Sequence, residues 1–397
     1  MKPQAITPDD FPWFDYSNYS FSLGLDIGGR ALLSGHSASQ YDHDAGRIVV
    51  KGGMEEQTRT AYAKIERILE AAGLDLSAVV RVVENVTVAG IDHYADAERV
   101  RGELLGSTNP AVSTVVVHRL LRPDALIEIE VTAGGAGQAF AVDSTARAAF
   151  APARSAEDVV YLSTIHPYDE EGTLIGRGDI VEQTRQIFRN AERLLTACGL
   201  TMSNVVKTLE MIRPEGLADY RYTGRVRKEH LGPVYPAAAG ILQERVAADD
   251  DVLISYDFTA STREPAAVNP GWGRYTKLTY SPAVRAGNML FMSGQAALDP
   301  ETESALHAGD IAAQTDYTFR NIITVLEAAG LGPENLVKTI DYVTPGGLGR
   351  YRETAAVRKQ LLTEPYPSST GALCHSLLRP EFEIEIDPTA MFFDAAS

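Results

Sequence analysis

Three stretches of the chain carry the same stripe of hydrophobic positions. Ile65, Ile68, Leu69 and Ala72 recur as Ala191, Leu194, Leu195 and Cys198, and again as Ile322, Val325, Leu326 and Ala329. The i, i+3, i+4, i+7 spacing is that of a helix with one buried face. A glycine closes each stripe (Gly73, Gly199, Gly330) and supplies the left-handed residue of a helix end at low steric cost. A β-branched run comes next (AVVRVVENV, NVVKTLEMI, NLVKTIDYV) and reads as a strand. A second helix carries Tyr94, Val100 and Leu105, with counterparts in the later copies. Upstream of each first helix lies a strand ending in small residues: ALLSGHSA, VVYLSTIHP and MLFMSGQAA. Each copy closes on an extended pair, clearest as STVVVHRLLRPDALIEIEVTA and STGALCHSLLRPEFEIEIDPTA. The alternation in LIEIEV and FEIEID predicts a strand with one buried and one polar face.

Single aligned residues set the register of the repeat. They are Gln57, Gln183 and Gln314 at the first helix, then Tyr94, Tyr220 and Tyr351, then Arg101, Arg227 and Arg358, then Pro110, Pro236 and Pro367, without a gap between. The period equals a whole small domain, so the reading is three fused domains rather than a solenoid. A β-β-α-β-α-β-β unit predicts an α+β domain, a mixed sheet with two helices on one face. The other face needs a cover, and a closed pseudo-three-fold trimer of sheets supplies it within one chain. Boundaries are expected in the Gly/Ala/Ser/Pro-rich stretches TAGGAGQAFAVDSTARAAFAPARS and STREPAAVNPGWG. They divide the chain into an extension at 1–20 and domains at 21–135, 136–262 and 263–397. The extension, with Trp13, is expected on the surface or capping the first copy.

Composition narrows the partners. Lys+Arg total 36 against Asp+Glu 53 in 397 residues, a formal charge of -17. No basic stripe is present to track phosphates or anionic membrane, so nucleic acid and membrane are excluded as partners and a small-molecule substrate remains. Hydrophobic residues reach 45%, enough for a core in each copy. The two cysteines, Cys198 and Cys374, fit no disulfide framework. With neither a signal-peptide pattern nor an apolar run long enough to span a bilayer, the expectation is a soluble, cytoplasmic protein.

The order S-G-Q, helix-A-G-L, V-V-K-T, Y-P, L-x-P and I-E-I-E-x-x-A resembles the Rid family (YjgF/UK114, reactive-intermediate deaminases), with chorismate-mutase-like domains. The third copy carries it best, in SPAVRAGNMLFMSGQAALDP, VLEAAGLGPENLVKTIDYV and LLRPEFEIEIDPTA. The resemblance implies clefts between neighbouring domains and hydrolysis of enamines or imines without a cofactor. It also implies that the chain is a monomeric pseudo-trimer, alone or paired once more into a dimer. The family's deaminases bind substrate carboxylate with an arginine two residues after the Y-P proline. That place is taken by Val112, Ala238 and Ser369. Neither valine nor alanine replaces a bidentate guanidinium. The resemblance carries the family's late-strand acid onto Glu130, Asp257 and Asp387, where it positions water. It carries the cleft serine onto Ser34, Ser163 and Ser293, and the tyrosine before the first strand onto Tyr280, with Phe21 and Phe150 in the other copies.

Two further sets stand out. Glu84, Glu210 and Asp341 each follow a base (Arg81, Lys207, Lys338) by three residues in the middle strand. An acid in an apolar strand is costly to bury unpaired. One reading pairs each with the late-strand acid, so that one carboxyl holds a proton and the other acts as base. The other is a structural ion pair with Arg101, Arg227 and Arg358. On the post-proline strand, counting in twos leads from Val112 to His118 and from Ser369 to His375, candidate general bases or hydrogen-bonded surface residues. The polar run Asp42, His43, Asp44 has no spaced partner motif and reads as a turn, so no metal is expected. The leading expectation is a cofactor-free hydrolase acting on a C–N bond. A binding module without catalysis, and a cyclic-amide hydrolase analogous to cyanuric acid hydrolase with Ser–Lys pairs, are the alternatives.

Overall fold

The structure, a computed structural model, describes residues 2–140, 151–247 and 249–393. The repeated stripe forms three helices of 18 residues each, Met54–Ala71, Ile180–Ala197 and Ile311–Ala328. Their apolar faces bury Ile65, Ile68 and Leu69, then Ile187, Ala191 and Leu195, then Ile322, Val325 and Leu326, each in the core of its own repeat. Gly73, Gly199 and Gly330 take φ of 71°, 73° and 77°, the left-handed backbone that ends each helix. The aligned glutamines have a definite task. Each side-chain amide donates to a carbonyl before the late strand (Asp124, Asp251, Glu381) and its oxygen accepts an N–H two residues on, from Leu126, Leu253 or Glu383. A buried amide with both ends bonded fixes the helix start against the sheet.

Each repeat contributes a seven-stranded sheet. At its centre the late strand (Ile127–Ala133, Ile254–Ser261, Ile384–Met391) runs antiparallel to the middle strand (Val79–Thr87, Val205–Ile212, Leu336–Val343). The post-proline strand (Ala111–Val117, Ala237–Leu242, Ser368–Leu373) lies parallel to the middle strand on its other side. The stretches expected as linkers carry short edge strands instead. Ala139–Phe140 and Ala266–Val268 each join a sheet, and so does Gln4–Ala5 of the extension. Edge pairing uses backbone groups alone, so a Gly/Ala/Pro-rich composition does not forbid it.

Two sheets are completed by another repeat. Ser376–Leu377 of the third pairs with Ala237–Leu242 of the second, and Arg119–Leu120 of the first pairs with Ser368–Leu373 of the third. Two buried clusters draw on all three repeats. One joins Val83 and Val115 to Leu209, Ala239, Tyr342 and Ala372; the other joins Leu25 and Val80 to Tyr161, Val206, Phe291 and Val337. The sheet faces turned away from the helices therefore cover one another, which removes the apolar exposure that an isolated repeat would carry. Cys198 and Cys374 are free thiols. Among the described residues no helix is long and apolar enough to cross a membrane.

Candidate functional site

Strand parity decides where the acids go. In the first repeat Glu84 lies opposite Ile129, whereas Glu130 lies opposite Val83. The same offset holds for Glu210 with Tyr256 and Asp257 with Leu209, and for Asp341 with Ile386 and Asp387 with Ile340. Adjacent strand residues point to opposite faces. The middle-strand acids therefore face the helices and the late-strand acids face the neighbouring repeats, so the two sets do not form carboxylate pairs. Glu84 is fully buried and bonded to the Arg101 guanidinium and the Tyr94 hydroxyl. Arg227 donates to Glu210 at 2.7 Å and Tyr220 donates to it as well, while Tyr351 donates to Asp341 at 2.7 Å beside Arg358. The aligned tyrosine and arginine are thus the partners of the aligned acid.

On the other face the bases of the middle strands reach the late-strand acids of the next repeat. Lys207 bonds Asp387, Lys338 bonds Glu130, and Arg81 stands 4.0 Å from Asp257. Arg81, Lys207, Lys338, Asp257 and Asp387 line a cavity of about 80 Å³ among the three sheets. The aligned serines form a second tie across the same seams. Ser34 accepts the Ser369 N–H at 2.8 Å, Ser163 the Val112 N–H at 2.9 Å, and Ser293 the Ala238 N–H at 2.9 Å. Each hydroxyl donates to a carbonyl of its own repeat (Ser22, Ala151, Ser281). All three are buried, and each joins the neighbouring strand at Ser369, Val112 or Ala238, two residues after the aligned proline.

One seam opens. Between the third and first repeats lies a cleft of about 620 Å³, bordered by Phe21, Gly35, Glu128, Tyr351, Ser369 and Gly371. Phe14 and Tyr19 of the N-terminal segment extend its wall. Glu128, two residues before Glu130 and on the same strand face, is the one acid in this lining. Burial pushes its carboxyl up to about 8, neighbouring Glu130 adds to the rise, and Lys64 pulls it back. Gly35 makes room for it, since a Cβ there would come within 2.5 Å of the Glu128 carboxylate. The third repeat copies the arrangement: a Cβ at Gly294 would stand 2.2 Å from Glu385, whose carboxyl is also pushed up to about 8 by burial, then by Asp387. The second repeat has Ser255 and Thr164 in these places. Acid and glycine are thus kept or lost together.

The three seams are not equivalent. Tyr275 lies half-buried beside Gln295 and Glu385 at the second–third seam, with Tyr280 edge-on at 5.5 Å. The first repeat has Lys64 where the others have Asn190 and Asn321. The asparagines donate to the Tyr168 and Leu298 carbonyls. Lys64 donates to the Ser37 carbonyl at 2.7 Å, behind the open cleft, with the Phe14 ring 5.0 Å away. Burial brings its ammonium down to about 7.

Of the residues singled out in the sequence, Phe21 and Ser369 line the open cleft. Phe150 lies outside the described residues. His118 and His375 both turn to Glu244 of the second repeat, at 2.9 and 3.6 Å, and neither lines the open cleft. Among the described residues no group of three His, Cys, Asp or Glu side chains is placed to hold a metal. Glu128 and Glu385 were not among the expected residues. The alternation puts both acids of each pair, Glu128 with Glu130 and Glu385 with Asp387, on one face and does not say which meets the cleft.

Comparison with known proteins agrees with the repeat. A family model described as Endoribonuclease L-PSP matches at residues 16–134, 141–255 and 274–392. A RutC family protein of Synechocystis sp. is 28% identical over 131 residues, 33% of this chain and 92% of its own. Protein DfrA of Myxococcus xanthus is 32% identical over 133 residues, with 33% and 92% covered. A 2-iminobutanoate/2-iminopropanoate deaminase of Salmonella typhimurium is 28% identical over 132 residues, with 33% and 93% covered. Each of these corresponds to a single repeat. A solved chorismatase structure, 16% identical, superposes with a TM-score of 0.54 over 79% of this chain and 93% of its own, and shares the fold. With the model matched three times along its length, the chain belongs to the Endoribonuclease L-PSP family, the Rid (YjgF/UK114) proteins, as three fused copies.

Proposed function

We propose that the chain is a cofactor-independent hydrolase acting on a C–N bond of a small molecule, with the three repeats arranged as a pseudo-three-fold ring. The reaction site in this reading is the cleft between the third and first repeats. The observation that carries it is Glu128, the single acid in a cleft of about 620 Å³, its carboxyl pushed up to about 8. A carboxyl protonated at neutral pH is a general acid, and once ionised it is a base. In imine hydrolysis Glu128 donates its proton to the imine nitrogen, and water adds to the carbon. The resulting carboxylate takes a proton from that water and passes it to the departing amine, and as the C–N bond breaks it recovers a proton from the carbinol hydroxyl, so that the carbonyl forms and Glu128 is protonated again. One water is consumed, and one carbonyl compound and one ammonia leave. The relatives named as iminobutanoate deaminases support this class of reaction.

Ammonia release from imines generated in situ tests the assignment. Glu128→Gln is expected to lower kcat by about 100-fold or more, the usual weight of a general acid–base group. Glu385→Gln, at the seam occupied by Tyr275, is expected to leave it unchanged. The active form is protonated, so activity falls as pH rises through about 8. Full turnover by the Glu128→Gln variant sinks the assignment.

The binding-module reading rests on Val112, Ala238 and Ser369, which supply no guanidinium where the family's deaminases have one. It predicts small-molecule binding without ammonia release from any imine. For a cyclic-amide hydrolase the lysines would need to activate serines. Lys207 and Lys338 instead bond Asp387 and Glu130, and the aligned serines bond backbone groups, so nothing favours that chemistry.

A further inference from the structure

The open cleft has a charge opposite to that of the molecule. In a chain of formal charge -17, its lining holds Arg119, Arg122, Arg352 and Arg358 against the single acid Glu128. Arg358 is neutralised by Asp341. Among the described residues the other three have no Asp or Glu within 4.0 Å. Arg119 and Arg122 are half-buried and Arg352 is exposed. Three unneutralised guanidinium groups around one concavity are an anion site, because each presents planar N–H donors and a permanent charge.

The other seams lack this set. The residues matching Arg119, Arg122 and Arg352 at the second–third seam are Ser376, Arg379 and Arg221. Arg379 is engaged by the Glu303 carbonyl at 2.7 Å, and Arg221 lies on Tyr222. In the first repeat the match to Arg352 is Ala95. Among the described residues, only at the third–first seam are all three positions arginine.

The remaining wall is aromatic. Tyr19 and Phe21 stack at 4.9 Å with their planes 27° apart; burial pushes the Tyr19 hydroxyl up, and Arg122 lies close enough to oppose that rise. A ring beside a guanidinium offers stacking and anion pairing to one ligand. The cleft, about 620 Å³, has the size of sites that enclose ring-bearing organic molecules, far more than a few-atom imino acid fills.

We propose that the third–first cleft takes a ring-bearing carboxylic acid, its carboxylate held by Arg119, Arg122 and Arg352 and its ring laid against Tyr19 and Phe21. This deepens the preceding reading, on which it rests for the reacting bond. The anion site has moved from the strand position now occupied by Ser369 to the loop after the post-proline strand and the start of the second helix. Ser369, a shorter group than an arginine, leaves space for the ring.

Titration calorimetry on the full chain tests it with phenylpyruvate, benzoate, pyruvate, benzamide and inorganic phosphate. Phenylpyruvate and benzoate are expected to bind at least tenfold more tightly than pyruvate or benzamide, and more weakly as salt is raised. Arg122→Gln and Arg352→Gln, on partly exposed side chains, are each expected to weaken phenylpyruvate binding about tenfold. In turnover they raise KM and leave kcat nearly unchanged. Glu128→Gln is expected to keep phenylpyruvate binding. Pyruvate or phosphate binding as well as phenylpyruvate, or arginine variants that bind like the parent, overturns the proposal. If ring acids bind as expected and no imine is turned over, the reaction assignment falls and the ligand class stands. If imines are turned over without preference for ring acids, the reverse holds.

Discussion

Glu128 and Glu385 occupy matching positions two residues before the acids that the resemblance singles out. Their neutrality has a measurable consequence. Glu385 is buried and its carboxyl is pushed from 4.5 up to about 8, first by burial and then by Asp387, with Lys207 opposing. Between those two values the folded chain holds a proton that the unfolded chain has released. The stability from this group is therefore complete below about pH 4.5 and lost as pH rises through about 8. Glutamine mimics the neutral form at every pH. The unfolding free energy of the parent relative to Glu385→Gln, from urea titrations, is expected to fall from pH 5 to pH 8 by an amount on the order of a few kcal/mol. A difference that stays flat across that window means the carboxyl is ionised in the folded state. At this scale the sequence held more than its alternation revealed. S-G occurs with glutamate in the first and third copies, and S-T with Ser255 in the second. That covariation marks the acid that needs a missing Cβ beside it. Parity was legible too: a base and an acid three apart in a strand face opposite ways. The choice of Lys64 over asparagine, by contrast, is visible in the sequence but means nothing until Phe14 and the Ser37 carbonyl are seen around it.

At the scale of elements, the middle strand is clasped to the second helix by a buried acid, an arginine and a tyrosine in every repeat. In the first repeat Glu84 and Arg101 are both fully buried. Glu84→Gln removes the buried carboxylate from the Arg101 guanidinium and leaves the half-exposed Glu98, 3.9 Å away, as its nearby acid, and loss of about 3–5 kcal/mol is expected. The double variant Glu84→Leu with Arg101→Met is expected to recover most of it, because two apolar groups of similar volume leave no buried charge. Denaturant unfolding of the two variants checks this, and a single variant as stable as the parent defeats it. The helices, the central strands and their order followed from periodicity, because burial on one face demands 3.6 or 2 as a repeat length. The edge strands did not. Arg119–Leu120 and Ser376–Leu377 pair with another repeat through backbone atoms, and no side-chain pattern encodes a partner hundreds of residues away.

Over the whole molecule the decisive property is divergence among three similar seams. A trimer of identical chains repeats every cleft residue three times, so no seam can change alone. Here each seam has its own occupants. The second–third seam keeps Glu385 and places Tyr275 beside it, while the second repeat replaces the acid by Ser255. Only the third–first seam combines an acid, room for a ligand and unneutralised arginines among the described residues. The asymmetry predicts a stoichiometry. Phenylpyruvate titrated into the full chain is expected to saturate at one molecule per chain, and Arg122→Gln is expected to weaken that single event rather than remove one step of three. Three equal binding steps in the calorimetric isotherm contradict this, since they require working clefts at seams that carry neither the guanidinium set nor, in one case, the carboxyl. One step means that fusing three copies allowed two seams to serve as scaffold, with their charges held in pairs such as Lys207 with Asp387. The third is left open to solvent and to a ligand of opposite charge to the rest of the surface.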